Sequence, residues 1–182
     1  MSVADWLPRS RAAIVQAFGS DADLFSRLLA GTSPISSIEA NVLIAVRVYR
    51  HLNWFGYVPR NGLLNVHYIC VTKLMNDPVA AGRKVWSLWQ NLIGNEDVCP
   101  IDRWIKKFYG YDPERRLPDK LYTKLENKIK HEAKALGITP AQRQVQIWCA
   151  SREAGASRGD VSYGDIIIER ELNKEGILRR LL

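Results

Sequence analysis

Apolar residues recur along this chain at the three- and four-residue spacing of helices, and no hairpin dipeptide separates two alternating runs. The pattern predicts an all-α fold, a bundle of about eight to ten helices. A first helix is expected over Val3 to Phe18, with Pro8 early in it. Gly19-Ser20-Asp21 leads into a second through Leu24, Leu28 and Leu29, broken at Gly31-Thr32-Ser33-Pro34. Ile38, Val42, Ala45, Val46 and Tyr49 then form one apolar stripe, opened by a capping box of Ser36 and Glu39 and ending near Asn53. The stretch Trp54-Phe55-Gly56-Tyr57-Val58-Pro59 reads as a turn that buries its rings, with a helix following from Gly62 to Leu74.

After Asn76-Asp77-Pro78, a helix from about Ala81 presents Val85, Leu88, Trp89 and Leu92 to the core and ends at Gly94. A short helix is expected over Asp102 to Tyr109, and a long one carries Leu121, Leu125, Ile129, Ala133 and Leu136 to Gly137. Thr139-Pro140 opens another, with threonine as cap and proline at the first helical position. Gly155 to Gly164 reads as a flexible loop, and Asp165 to Leu181 as a last amphipathic helix.

Residues 1–182 are read as one helical domain, since a chain of 182 residues with 47% hydrophobic and 25% charged positions can bury a sizeable core by itself. No apolar run is long enough for a membrane span or signal peptide, which places the chain in a cytosol, and it is expected to be monomeric. Cys70, Cys99 and Cys149 sit far apart among apolar neighbours and read as reduced, buried thiols. No Cys/His spacing suits a metal, and no cofactor is expected. A net charge of +7, from 26 Lys and Arg against 19 Asp and Glu, favours a polyanionic partner.

Candidate chemistry lies in Gly82-Arg83-Lys84 and in Val98-Cys99-Pro100-Ile101-Asp102-Arg103-Trp104. By local pattern, Asp102 is an N-cap and Lys84 a solvated side chain at a helix start. Gly-Arg-Lys followed 18 positions later by an aspartate that opens a helix also resembles the core signature of the helix-hairpin-helix DNA glycosylases, endonuclease III and the 8-oxoguanine glycosylases among them. Leu24 to Ser33 is similar to that superfamily's helix ending in a damage-recognition loop. The similarity spans Asp23 to Tyr109, with residues 110–182 completing the bundle, and the second half has the look of short bacteriophage members.

The resemblance implies that Lys84 and Asp102 are the catalytic pair. It also implies a cytoplasm of a bacterial or phage-infected cell, and DNA contacts through Gly82, Arg83, Thr32 and Ser33. Where that superfamily's hairpin reads Leu-Pro-Gly-Val-Gly, this chain has Pro78-Val79-Ala80-Ala81-Gly82, so only the second glycine remains to ease a backbone approach to phosphate. Substrate identity does not carry over. Arg103, Lys106 and Lys107 follow the aspartate and suit phosphate, as does the helix face of Lys120, Lys124, Lys128 and His131, which reads equally as a solvated face. Trp54, Phe55 and Tyr57 are candidates for stacking on a base, although core packing is the favoured reading for such rings.

Breaking a base from its sugar builds positive charge on the sugar, which a carboxylate such as Asp102 stabilises. A neutral lysine amine at position 84 can attack the same carbon, provided that helix-start placement and burial lower its pKa from about 10.4. The expectation is therefore a DNA glycosylase, with or without abasic-site lyase activity. Two alternatives remain: a DNA base-modifying transferase on the same scaffold, and a non-catalytic DNA-binding module.

Overall fold

A computed structural model describes residues 5–153 and 161–167. The regular structure of the described residues is all helical, without a strand: α1 (Trp6–Phe18), α2 (Ala22–Gly31), α3 (Ile38–Phe55), α4 (Asn65–Asn76), α5 (Arg83–Leu92), α6 (Arg103–Phe108), α7 (Asp119–Leu136), α8 (Pro140–Glu153) and α9 (Tyr163–Ile167). None of these helices is long and apolar enough to cross a membrane. The expected loop at Gly155–Gly164 and the last helix fall largely outside the described residues. The part of that helix that is described starts at Tyr163, packs on α1 and α3, and buries Tyr163, Ile166 and Ile167.

Capping chemistry sets several boundaries. Thr139 and Gln142 form a reciprocal box at the start of α8, each side chain accepting from the other's backbone N–H at 3.2 and 3.0 Å. At α3 the cap is Ser37, whose Oγ accepts from Ala40 N at 3.2 Å, and the expected box of Ser36 with Glu39 does not form. Ser36 instead donates to Thr32 O at 2.9 Å, holding the preceding loop. The helix also runs on through Trp54 and Phe55, which the sequence assigned to a turn, and closes on Gly56.

Three apolar clusters make up the core of the described residues. The first joins α1, α2, α3, α8 and α9, with Val71 of α4 and Leu92 of α5, around Phe25, Leu28, Leu29 and Val42. The second joins α6, α7 and α8 around Ile105, Leu125 and Ile129, and the third joins α2, α4 and α5 around Leu74 and Trp89. Trp148 packs on the first and second clusters, Leu88 on the first and third. Gly31 permits the close approach of α2 to α4: a Cβ there would lie 2.7 Å from the Val71 side chain and 2.9 Å from its Cα. Cys70, Cys99 and Cys149 are buried and form no disulfide with one another.

Candidate active site

The segment between α5 and α6 is anchored before it reaches Asp102. The buried Tyr122 hydroxyl of α7 donates to Cys99 O at 2.9 Å and accepts from Ile101 N at 3.1 Å. Burial pushes that phenol up to about 12, so it stays a donor. Asp102 follows in extended conformation as the cap of α6. Its Oδ1 accepts from Trp104 N at 2.9 Å and Ile105 N at 3.0 Å, while Oδ2 accepts from the Trp148 indole N–H at 2.8 Å. Three donors occupy most of the roughly four lone-pair directions of a carboxylate, so its position and orientation are fixed.

Lys84 is the second residue of α5, one position after the Gly82-capped start. Burial pushes its amine below the ordinary lysine range. The Asp102 carboxylate and Cys70 pull it back upward, and the cations Arg103 and Lys106 push it further down. Lys84 and Asp102 line the same cavity, of about 650 Å³, a size suited to a small organic ligand. Its walls come from the α2–α3 loop, α5, α6 and α8, with Trp104 and Trp148 offering ring surface and Arg103 and Lys106 offering charge.

The model of a family of unknown function, DUF7178, matches residues 4–155, a span that includes both Lys84 and Asp102. The chain belongs to DUF7178. No curated protein and no solved structure matches it.

In this DUF7178 chain, several residues singled out by sequence reach the cavity and others do not. Ser33 lines it, and its hydroxyl is buried without a partner. Arg103 and Lys106 line it as well. Arg103 lies 5.0 Å above the Trp104 ring, and Lys106 donates to Arg115 O at 3.0 Å. Lys107 is exposed beside the same ring. Gly82 is exposed with open space where a side chain would be, and its φ of +89° suits glycine alone.

Two residues expected to contact DNA are engaged within the protein. Thr32 is fully buried, its hydroxyl 2.8 Å from Leu28 O and 2.6 Å from Asn41 Oδ1, so it ends α2 internally and has no atom to offer a ligand. Arg83 reaches α7: it donates to Thr123 Oγ1 and Glu126 Oε2, each at 2.8 Å, and stacks 4.1 Å over Tyr122. It ties α5 to α7 and so holds the helix that carries Lys84. Trp54, Phe55 and Tyr57 are neither in the core nor on the cavity wall; they are 77%, 59% and 60% exposed. Lys120, Lys124, Lys128 and His131 lie exposed on α7, away from the cavity lining.

Two residues were missed. Trp148 positions the aspartate from 46 residues away, and nothing local announces such a contact. Ile35 is 87% exposed at the cavity rim and is the sole non-glycine residue with positive φ, +61°, among the described residues. A β-branched residue in that conformation is strained, and the loop enforces it. His67 Nε2 lies 2.7 Å from Pro34 O, and the Ser36 hydroxyl holds Thr32 O. The Pro34-Ile35 pair after a helix break was the available signal for a shaped loop.

Proposed function

We propose that this protein excises a base from DNA, acting as a single chain with Asp102 and Lys84 as its reacting pair. One observation supports the reading above the rest: a lysine whose amine is pushed down by burial shares a 650 Å³ cavity with a carboxylate held rigid by three N–H donors. Flipping a nucleotide out of the stack brings its sugar to that pair and its base against Trp104 and Trp148. As the C1′–N bond lengthens, the base leaves with the electron pair and takes up a proton, and the sugar becomes cationic. The Asp102 charge is strongest in effect at that stage.

Either water or the neutral Lys84 amine then bonds to C1′. With lysine, the amine loses a proton and the sugar ring opens to an imine, from which the 3′ phosphate can be eliminated. Ile35 at the rim fits the gap that the flipped base leaves, as apolar wedges do in other DNA-bending proteins. Arg103 and Lys106 on the cavity wall, and Lys107 beside the Trp104 ring, would bind the flanking phosphates.

The test is a panel of oligonucleotides bearing oxidised purines, oxidised pyrimidines, hypermodified pyrimidines or an abasic site, with released base and strand scission both measured. Wild-type protein is expected to release base or cut at one of them, and Asp102→Asn to lose that activity while retaining DNA affinity. A base chemically altered but still attached to its sugar establishes transferase chemistry instead. Binding without any reaction leaves a DNA-binding module.

A further inference from the structure

The face of α3 that starts at the cavity rim does not end in solvent-loving residues. Ser37, Ala40, Ile44, Arg47, His51 and Trp54 follow one another at alternating three- and four-residue steps, which places them along one side of the helix. Ser37, Ala40 and Ile44 line a groove of about 440 Å³ that also includes Ile35, Ser36, Leu63 and Leu64. Ile35, Ser36 and Ser37 belong to this groove and to the Lys84–Asp102 cavity alike. The groove therefore continues the cavity around the strained loop. Next along the stripe, Arg47 donates to Gly62 O and bridges α3 to the α3–α4 loop.

Beyond that bridge lies a cluster of rings. His51 sits 4.6 Å from Phe55 and 4.9 Å from Tyr57, and Phe55 lies 6.3 Å from Tyr57. Trp54, Phe55 and Tyr57 are nonetheless mostly exposed. Of the twelve large apolar side chains exposed among the described residues, seven lie between Ile35 and Ile69, so this stretch of chain exposes more apolar surface than the rest. Its charge is one-sided too: residues 40–76 contain no Asp or Glu, but carry Arg47, Arg50, Arg60 and Lys73. Arg60 is held 5.6 Å over the Tyr68 ring.

We propose that this α3 face and the loop beside it are a track for single-stranded nucleic acid, with unpaired bases stacked on Trp54, Phe55 and Tyr57 and phosphate held by Arg60. Rings arrayed beside cations, with no carboxylate in the segment, match a strand that carries π-faces and anionic links together. A duplex hides its base faces and matches only the charge. From Ser37 to Trp54 the helix rises about 25 Å, so the track leads several nucleotides out of the cavity. This deepens the excision reading by naming its substrate class: DNA that is unpaired on one side of the target. That clause rests on the excision reading, whereas the surface itself does not.

Fluorescence anisotropy with labelled oligothymidylate, and with the same strand paired to oligoadenylate, tests the track on the full chain. Trp54→Ala and Tyr57→Ala remove exposed rings, and circular dichroism verifies that the fold is kept. Single-strand affinity is expected to fall about tenfold for each, with duplex affinity changing far less. Arg60→Ala should lower the slope of single-strand affinity against salt by about 0.7. Unchanged oligothymidylate binding in the ring variants, or no binding by wild type at low salt, overturns the proposal. Ring variants that bind strand normally but lose self-association in sedimentation show that the face meets a second copy of the chain. If the ring variants weaken strand binding while no oligonucleotide reacts in the cavity, the track stands and base excision fails; a reacting cavity with indifferent ring variants gives the reverse.

Discussion

Replacing Asp102 by asparagine separates its two structural duties from its proposed chemical one. Asparagine caps helices about as well as aspartate, so its oxygen can keep the bonds from Trp104 N and Ile105 N, now 2.9 and 3.0 Å long. The amide nitrogen then faces the Trp148 indole N–H, which at present reaches Oδ2 at 2.8 Å, and two donors oppose each other. Losing one hydrogen bond to a charged group costs about 1.5–3 kcal/mol. For a chain of 182 residues, that is a fall in Tm of roughly 3–12 °C. Trp148→Phe breaks the same bond from the other side and leaves the carboxylate in place; it also loses indole packing on two core clusters, so it is expected to be the less stable variant while keeping the charge. Thermal melts followed by circular dichroism give the stability losses, and single-turnover base release under saturating enzyme gives the chemistry. Asp102→Asn should lose about 10²- to 10³-fold in rate, and Trp148→Phe less than about tenfold. Equal losses in both variants, each explained by the folded fraction, would refute the reasoning and reduce Asp102 to a helix cap.

Three further outcomes follow from other sites. Because burial lowers the Lys84 pKa in the folded state, the charged amine destabilises the protein at neutral pH. The unfolded chain alone holds that proton between the folded and unfolded pKa values, so stability from this group rises with pH across that window. Lys84→Met is expected to raise Tm at pH 7, with an advantage over wild type that shrinks as pH approaches the ordinary lysine value; a lowered Tm at pH 7 contradicts this. Gly31→Ala drives a methyl to within 2.9 Å of the Val71 backbone and should destabilise by about 1–3 kcal/mol in urea unfolding. Joint replacement of Arg103, Lys106 and Lys107 should lower the salt slope of DNA affinity by about 3, and more than joint replacement of Lys120, Lys124 and Lys128.

Local pattern carried the helices well because their signals are local. Thr139-Pro140 opens α8 as read, and Gly137 ends α7 in the left-handed conformation expected of a closing glycine. Where two neighbouring residues compete for one duty, the pattern slips by a position: Ser37 caps α3 because Ser36 is engaged with Thr32. The rings at 54–57 were misread because aromatic content alone does not say which side of a helix end faces water. Arg83 beside Glu126 and Asp102 beside Trp148 are contacts across 43 and 46 positions, set by how α5, α6, α7 and α8 meet. A short motif contains no such information. The N-cap reading and the site reading of Asp102 turned out to be compatible in geometry, since one oxygen caps α6 while the other takes the indole that lines the cavity.

The central claim is that the Lys84 amine meets the anomeric carbon of a flipped nucleotide beside Asp102. Borohydride trapping reads this bond itself: hydride reduces the imine between enzyme and sugar to a stable amine, and the DNA becomes attached to the protein. The trapping is run with oligonucleotides carrying an abasic site or a damaged or modified base, each offered as duplex and as partly unpaired DNA. Mass spectrometry of the digested adduct then identifies the modified residue. The adduct is expected on Lys84 and absent in Lys84→Gln, and its rate should rise with pH and level off below the ordinary lysine pKa of about 10.4. Adduct on another lysine, or none on any DNA together with no base released or altered, would contradict that claim.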